Sequence, residues 1–303
     1  MDGRLSGREL LCAAACFIVL GLAVFAGHIR HGGFYYDDWG VLSVVHFPPR
    51  AGDGALHALW PFYGSRPGEV LWYALLESVL AFHVHQQLAL AALLLILEVL
   101  CLFALLRRLG LDTLAAGAIG ALVLLFPFSD SLWLWSILTT NTLTTALYLI
   151  GIMLALRALE ARGWRGIALH ATSLALYLIG IVTYGESFAV LGCLVGLLYV
   201  RSVGWRRARL RWALDVIAIA AALIYTRVVL PKDIATPHPS LSLHHMWVHA
   251  GEIAGSAARL LAAAAEPFGE PGASLVLGVL AVLLIARSPA RVIAAGSRSR
   301  RPG

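Results

Sequence analysis

The sequence predicts an all-α protein, a polytopic transmembrane bundle of about eight spans with an interfacial helix in its first outer loop. Hydrophobic residues make up 60% of the 303-residue chain and charged residues only 13%, whereas soluble domains hold the two closer to balance. Mean hydropathy is +0.81, so lipid is the expected solvent. Several apolar runs approach the roughly 20 residues that cross a ~30 Å hydrocarbon layer. They lie near residues 10–27, 88–106, 112–128, 140–156, 166–182, 187–200, 212–230 and 272–286.

The first run is read as an uncleaved signal anchor, because no small-residue cleavage site precedes the next charged loop. The stretch 69–82 is apolar on average, yet it carries Glu69 and Glu77 and ends in His83 and His85. It is expected to lie at the interface. Basic residues decide the orientation, since short cytoplasmic loops collect Lys and Arg. With 69–82 outside the bilayer, 17 of the 23 basic residues fall on the inner side, at Arg4 and Arg8, Arg107 and Arg108, 157–165, 201–211 and 287–301. Counting 69–82 as a span would invert every later loop.

The expected organisation is one membrane domain, 1–303, with both termini cytoplasmic and multi-pass in the cell membrane. Its parts are a first outer loop with the interfacial helix (28–87), a second long outer loop (231–271) and a basic tail (287–303). Sidedness accounts for the formal charge of +6, and nucleic acid is not an expected partner. The four cysteines, Cys12, Cys16, Cys101 and Cys193, all sit in apolar runs without a C-x-x-C pair, which reads as packing, not zinc or disulfides.

Chemistry is expected on the outer face. The first loop opens with YYDDWG, 35–40, about ten residues after the first span. Adjacent carboxylates resist being ionised together, so one of Asp37 and Asp38 is poised as a general base or both hold a cation. A solvated turn beside aromatic belt anchors would carry the same residues. The loop continues to SRPGE, 65–69, where Arg66 precedes a proline that starts the interfacial helix. A guanidinium there suits a phosphate or carboxylate gripped by two parallel hydrogen bonds, or lipid headgroups. TYGES, 183–187, puts Glu186 in another outer turn, and FPFSDSLWLW, 126–135, offers Asp130 with Trp133 and Trp135. The late loop holds His238, His244, His245 and His249 with Lys232, Asp233 and Glu252. It lacks the H-E-x-x-H zinc pattern, and no metal ligand set is assigned. Glu98 is the acid expected near mid-membrane, where ionisable groups are costly.

A first span, an aromatic and Asp-Asp element at its outer end, Arg-Pro, a short interfacial helix and a second span ending in RRLG, 107–110, together resemble the start of the GT-C superfamily. These are membrane glycosyltransferases, here of the bacterial polyprenyl-phosphate-dependent kind. The resemblance covers roughly residues 1–230, and the chain resembles a short or truncated member. It implies that the first outer loop carries the catalytic acid at Asp37 with Asp38 beside it. Arg66 matches the position of the family's His-Pro or Arg-Pro element. Tyr36, Trp39, Arg66 and Glu186 are then the expected substrate-binding residues.

The implied function is transfer of a sugar, hexosyl or pentosyl, from a polyprenyl phosphate carrier to an acceptor hydroxyl on a glycan, lipid or protein at the extracytoplasmic face, in building the cell envelope. Asp37 takes the acceptor proton while Arg66 or a divalent metal ion receives the phosphate. No other cofactor is expected. The partners are the donor, the acceptor and membrane lipids. The alternatives are a noncatalytic membrane assembly subunit and a lipid or solute transporter, which would line a mid-membrane path with polar residues.

Overall fold

The computed structural model describes residues 5–125, 135–184 and 189–230, all within the compact unit Met1–Pro237. The described residues are helical throughout, with no strand. The expected span at 272–286, Glu186, Asp130, Trp133 and the late-loop histidines lie outside them.

Helix α1, Gly7–His31, starts at Ser6, whose hydroxyl accepts the Glu9 amide at 3.1 Å, and has the basic residues His28, Arg30 and His31 in its last turn, where the Arg30 charge suits a helix C-terminus. Three short helices follow: α2, Tyr36–His46; α3, Ala55–Tyr63; and α4, Pro67–Val79. Helix α5, Val84–Arg108, closes on Arg107 and Arg108 and turns at Gly110, whose φ of +96° strains any residue with a Cβ. Helix α6 is Thr113–Leu125. A 3₁₀ turn, Ser136–Leu138, leads into α7, Thr139–Glu160, followed by α8, Gly163–Thr183, α9, Ala189–Val203, and α10, Trp205–Val228.

Among the described residues four segments are long and apolar enough to cross a membrane: Gly7–His31, Val84–Arg108, Ser136–Glu160 and Gly163–Thr183. The exposed surface of α1 is itself apolar, with Leu11 72% and Val19 68% exposed, as a lipid-facing helix requires. The shorter α6 and α9 and the arginine-headed α10 fall on three further expected runs.

Ion pairs fix which ends lie together. Arg107 Nε meets Glu9 Oε1 at 2.5 Å, the Thr113 hydroxyl donates to Glu9 Oε1 at 2.6 Å, and Arg108 meets Glu160 at 2.9 Å. The start of α1, the end of α5, the start of α6 and the end of α7 therefore share one end of the bundle. At the other end His85 Nδ1 lies 2.9 Å from the Ile29 carbonyl. Helix α4 keeps all its turns at this second end, since Gly68 abuts Thr183, Trp72 Nε1 donates to Thr139 at 2.8 Å, and Glu77 accepts from Gln87.

Three apolar clusters hold these parts. Phe17, Phe25, Leu95, Val99 and Phe103 join α1, α5 and α6. Tyr148, Ile152, Tyr177, Tyr199 and Ile219 join α7 to α10. Val41, Leu59, Val70, Tyr73 and Ile137 seat α2, α3 and α4 on the 3₁₀ turn. That third cluster positions the site.

Candidate active site

Tyr35 is the N-cap of α2, so Asp37 and Asp38 fall in its first turn, where the positive end of the helix dipole favours them. Neighbours on a helix point about 100° apart, and the two acids part company. Asp38 is 3% exposed. Its Oδ2 accepts the Tyr35 amide at 2.9 Å, and its Oδ1 accepts the Ser136 hydroxyl at 2.9 Å and the Ile137 amide at 2.8 Å. Asp37 is exposed. Beside it Tyr36 and Trp39 are 86% and 55% exposed. Trp39 is held in place, its Nε1 donating to the Phe34 carbonyl at 3.2 Å and its ring edge-on to Phe34 at 5.6 Å.

Arg66 stands at the N-cap of α4 with Pro67 in the first turn, a position where the missing proline N–H costs nothing. Its Nε pairs with Glu69 at 2.8 Å, and its guanidinium lies 5.9 Å from the Tyr63 ring centre and 5.2 Å from that of Tyr184. Glu69, 2% exposed, accepts the Tyr73 hydroxyl at 2.6 Å, and that hydroxyl lies 3.2 Å from the Ile137 carbonyl. Burial first, then the Glu69 charge, push the Tyr73 phenol well above its ordinary range, so it stays a donor.

The two elements singled out in the sequence thus meet on one peptide. Asp38 accepts the Ile137 N–H, and the Tyr73 hydroxyl, which donates to Glu69 of the Arg66–Glu69 pair, lies 3.2 Å from the Ile137 C=O. The contact with Tyr184 also brings SRPGE beside the start of TYGES.

A fourth acid, to which sequence reasoning gave no part in the site, belongs here. Glu77, 3% exposed, has His46 Nε2 at 3.4 Å and accepts from Gln87 Nε2 at 3.2 Å, while the same Gln87 nitrogen donates to the Ala81 carbonyl at 2.6 Å. Burial raises the Glu77 pKa against the lowering pull of Gln87 and His46, and the Asp38 charge raises it further. Its signal was the i, i+4, i+8 spacing of Glu69, Tyr73 and Glu77, one face of α4. Among the described residues no group of three His, Cys, Asp or Glu is arranged to hold a metal ion.

A further buried acid, not singled out in the sequence, is Asp215. It is 0% exposed in α10, accepts the Tyr199 hydroxyl at 2.7 Å and has His170 Nε2 at 3.3 Å. Three helices contribute to this centre. Its members lie 16 and 45 residues apart, so no local pattern announces it.

No protein-family model, curated protein or solved structure matches this chain.

Proposed function

We propose that this protein is a polytopic membrane glycosyltransferase of GT-C type, which moves a sugar from a polyprenyl phosphate to an acceptor hydroxyl at the outer face. The observation that carries the reading is the division of labour at 37–38. Asp38 accepts from three donors, of which Ser136 and Ile137 are buried, and so fixes the first turn of α2 on the 3₁₀ turn. Asp37, next in the chain, is thereby held in the open among aromatic rings. A rigidly held, accessible carboxylate is what a general base requires, and exposed rings of Tyr36 and Trp39 offer faces for a sugar.

The membrane arrangement follows from the same end of the bundle. Helix α4 buries Glu69 and Glu77 but exposes Leu71, Leu75 and Val79, the reverse of a helix facing water. We read it as lying in the outer interface with its leucines toward lipid. The arginine clusters at the other end then face the cytoplasm, the chain makes eight passes, and both termini are inside.

In the proposed step Asp37 takes the acceptor O–H proton as the oxygen attacks the anomeric carbon. The bond to the donor phosphate oxygen breaks, and its electron pair leaves with the polyprenyl phosphate. That leaving group needs no proton at neutral pH. Arg66 is the charge that receives it. Tyr63 and Tyr184 flank the guanidinium, and Glu69 fixes its Nε edge.

The test is turnover by the purified protein in liposomes with a panel of labelled polyprenyl-phosphate sugars. Asp37→Asn is expected to lower the rate by about 10²–10⁴-fold with unchanged insertion. Wild-type rates in that variant would remove Asp37 from the mechanism, and no transfer from any donor would favour a noncatalytic subunit. The Asp215–His170 centre supports a transporter as the second reading, because buried ionisable pairs mark transport pathways. Loss of solute flux in Asp215→Asn, with sugar transfer absent in wild type, would establish it.

A further inference from the structure

The turn between α9 and α10 bears a separate feature. Gly204, at φ +78°, reverses the chain, and α10 then opens with WRRARLRW, 205–212. Arg206, Arg207 and Arg209 are exposed. An open groove of about 540 Å³ runs along one face of this helix, lined by α10 alone, with Trp205, Arg209, Trp212, Ala213, Val216 and Ile217 along it. Those positions recur at intervals of three and four and so form one stripe. Arg209 is the charged member, near its upper end, and every residue below it is apolar. From Arg209 to Ile217 the helix rises about 12 Å, most of the half-thickness of a ~30 Å hydrocarbon layer.

The walls are fixed. Trp212 rests on Gly196 of α9, where an added methyl would lie 2.3 Å from the indole Nε1, so only glycine admits it. Trp205 meets Trp212 edge-on, at 5.6 Å and 65°. Gly196, the second glycine of the G-x-x-x-G at 192–196, is thus used within the chain. Arg211 is turned away, its Nη2 lying 3.1 Å from where a Cβ on Gly166 of α8 would stand.

A guanidinium at one end, indoles at the depth that Trp prefers in a bilayer, and an apolar trough along the helix axis match an amphiphile with an anionic head. A soluble anion would leave the trough unfilled, and a zwitterionic lipid would bring a cation of its own up to Arg206, Arg207 and Arg209 along with its phosphate. We propose that this groove binds one anionic phospholipid, its phosphate on Arg209 and an acyl chain along α10. The proposal rests on the membrane setting of the chain and not on sugar transfer.

Native mass spectrometry of the full chain, released from detergent with equal amounts of phosphatidylglycerol and phosphatidylcholine, tests it. The expected result is a retained single phosphatidylglycerol adduct. Arg209→Gln should weaken it by about fivefold, Arg209→Lys should largely keep it, and Arg206→Gln should leave it unchanged. Ala213→Trp, which fills the trough without touching the charge, should remove it. Helical circular dichroism and elution volume confirm that each variant is folded. Equal retention of both lipids, an adduct indifferent to Arg209→Gln or to Ala213→Trp, or no retained lipid because residues 238–303 of the chain occupy the groove, would each overturn the proposal.

Discussion

Asp38 accepts the hydroxyl of Ser136 at 2.9 Å across 98 residues of chain, and the same oxygen takes the next backbone amide. That one carboxylate closes α2 onto the 3₁₀ turn that precedes α7. Replacing it with Asn puts an amide N–H where a carboxylate oxygen faced a donor, whichever way the amide turns. Asp38→Asn should therefore lose about 1–3 kcal/mol of stability, whereas Asp37→Asn, exposed, should stay within about 0.5 kcal/mol. Thermal unfolding in detergent separates them. Equal midpoints for the two variants would mean that Asp38 does not hold the turn.

Gly68 governs how closely α4 approaches α8. A Cβ there would lie 2.3 Å from Thr183 Oγ1, 2.9 Å from Thr183 Cα and 3.0 Å from the Val182 carbonyl. Two of the three are backbone atoms that have no rotamer to escape into. Gly68→Ala is expected to cost about 1–3 kcal/mol and to pull Arg66 off Tyr184. Gly40→Ala, with nothing within 4 Å, is the control and should be neutral or stabilising. If both melt alike, the contact between α4 and α8 is looser than described.

Much of this architecture could be read from hydropathy alone. The runs at 88–106 and 166–182 became α5 and α8 with ends shifted by a few residues, and 69–82 became a separate helix. The run at 140–156 became Thr139–Glu160 because Thr139, Thr140, Thr142 and Thr145 return their hydroxyls to carbonyls three or four residues back, which hides polarity that a hydropathy window counts. The site was legible by residue type and not by role. Nothing local to YYDDWG tells which aspartate turns inward, since that depends on donors at Ser136 and Ile137. In the sequence Glu77 reads as a sign of an interface, although its burial against Gln87 and His46 makes it part of the site. The pairing of His170 with Asp215 is likewise a property of packed helices.

Orientation in the membrane has a direct chemical test. Ser43, on α2, and Ser202, near the end of α9, are both exposed and lie in segments of opposite expected sidedness. In a chain whose native cysteines are replaced, Ser43→Cys should react in intact cells with an impermeant thiol reagent, and Ser202→Cys only after the membrane is opened. The opposite pattern would invert the topology and move Asp37 to the cytoplasmic side.

Glu77 should leave a pH signature. Burial lifts its folded-state pKa above the ordinary 4.5, so between that value and the raised one the folded chain holds more protons than the unfolded chain. Stability then declines as the pH rises through this window, and the penalty is complete above it. Glu77→Gln removes the charge that burial opposes. The melting temperature of the variant minus that of wild type should be smallest at or below about pH 4.5 and grow as the pH is raised. His46 lowers the Glu77 pKa, so His46→Gln in the otherwise native chain should extend the window to higher pH. Asp38 is the opposing neighbour, and Asp38→Asn should shorten it. A difference between Glu77→Gln and wild type that does not change with pH would show that Glu77 titrates as an ordinary carboxylate, and its place in the buried cluster would have to be given up.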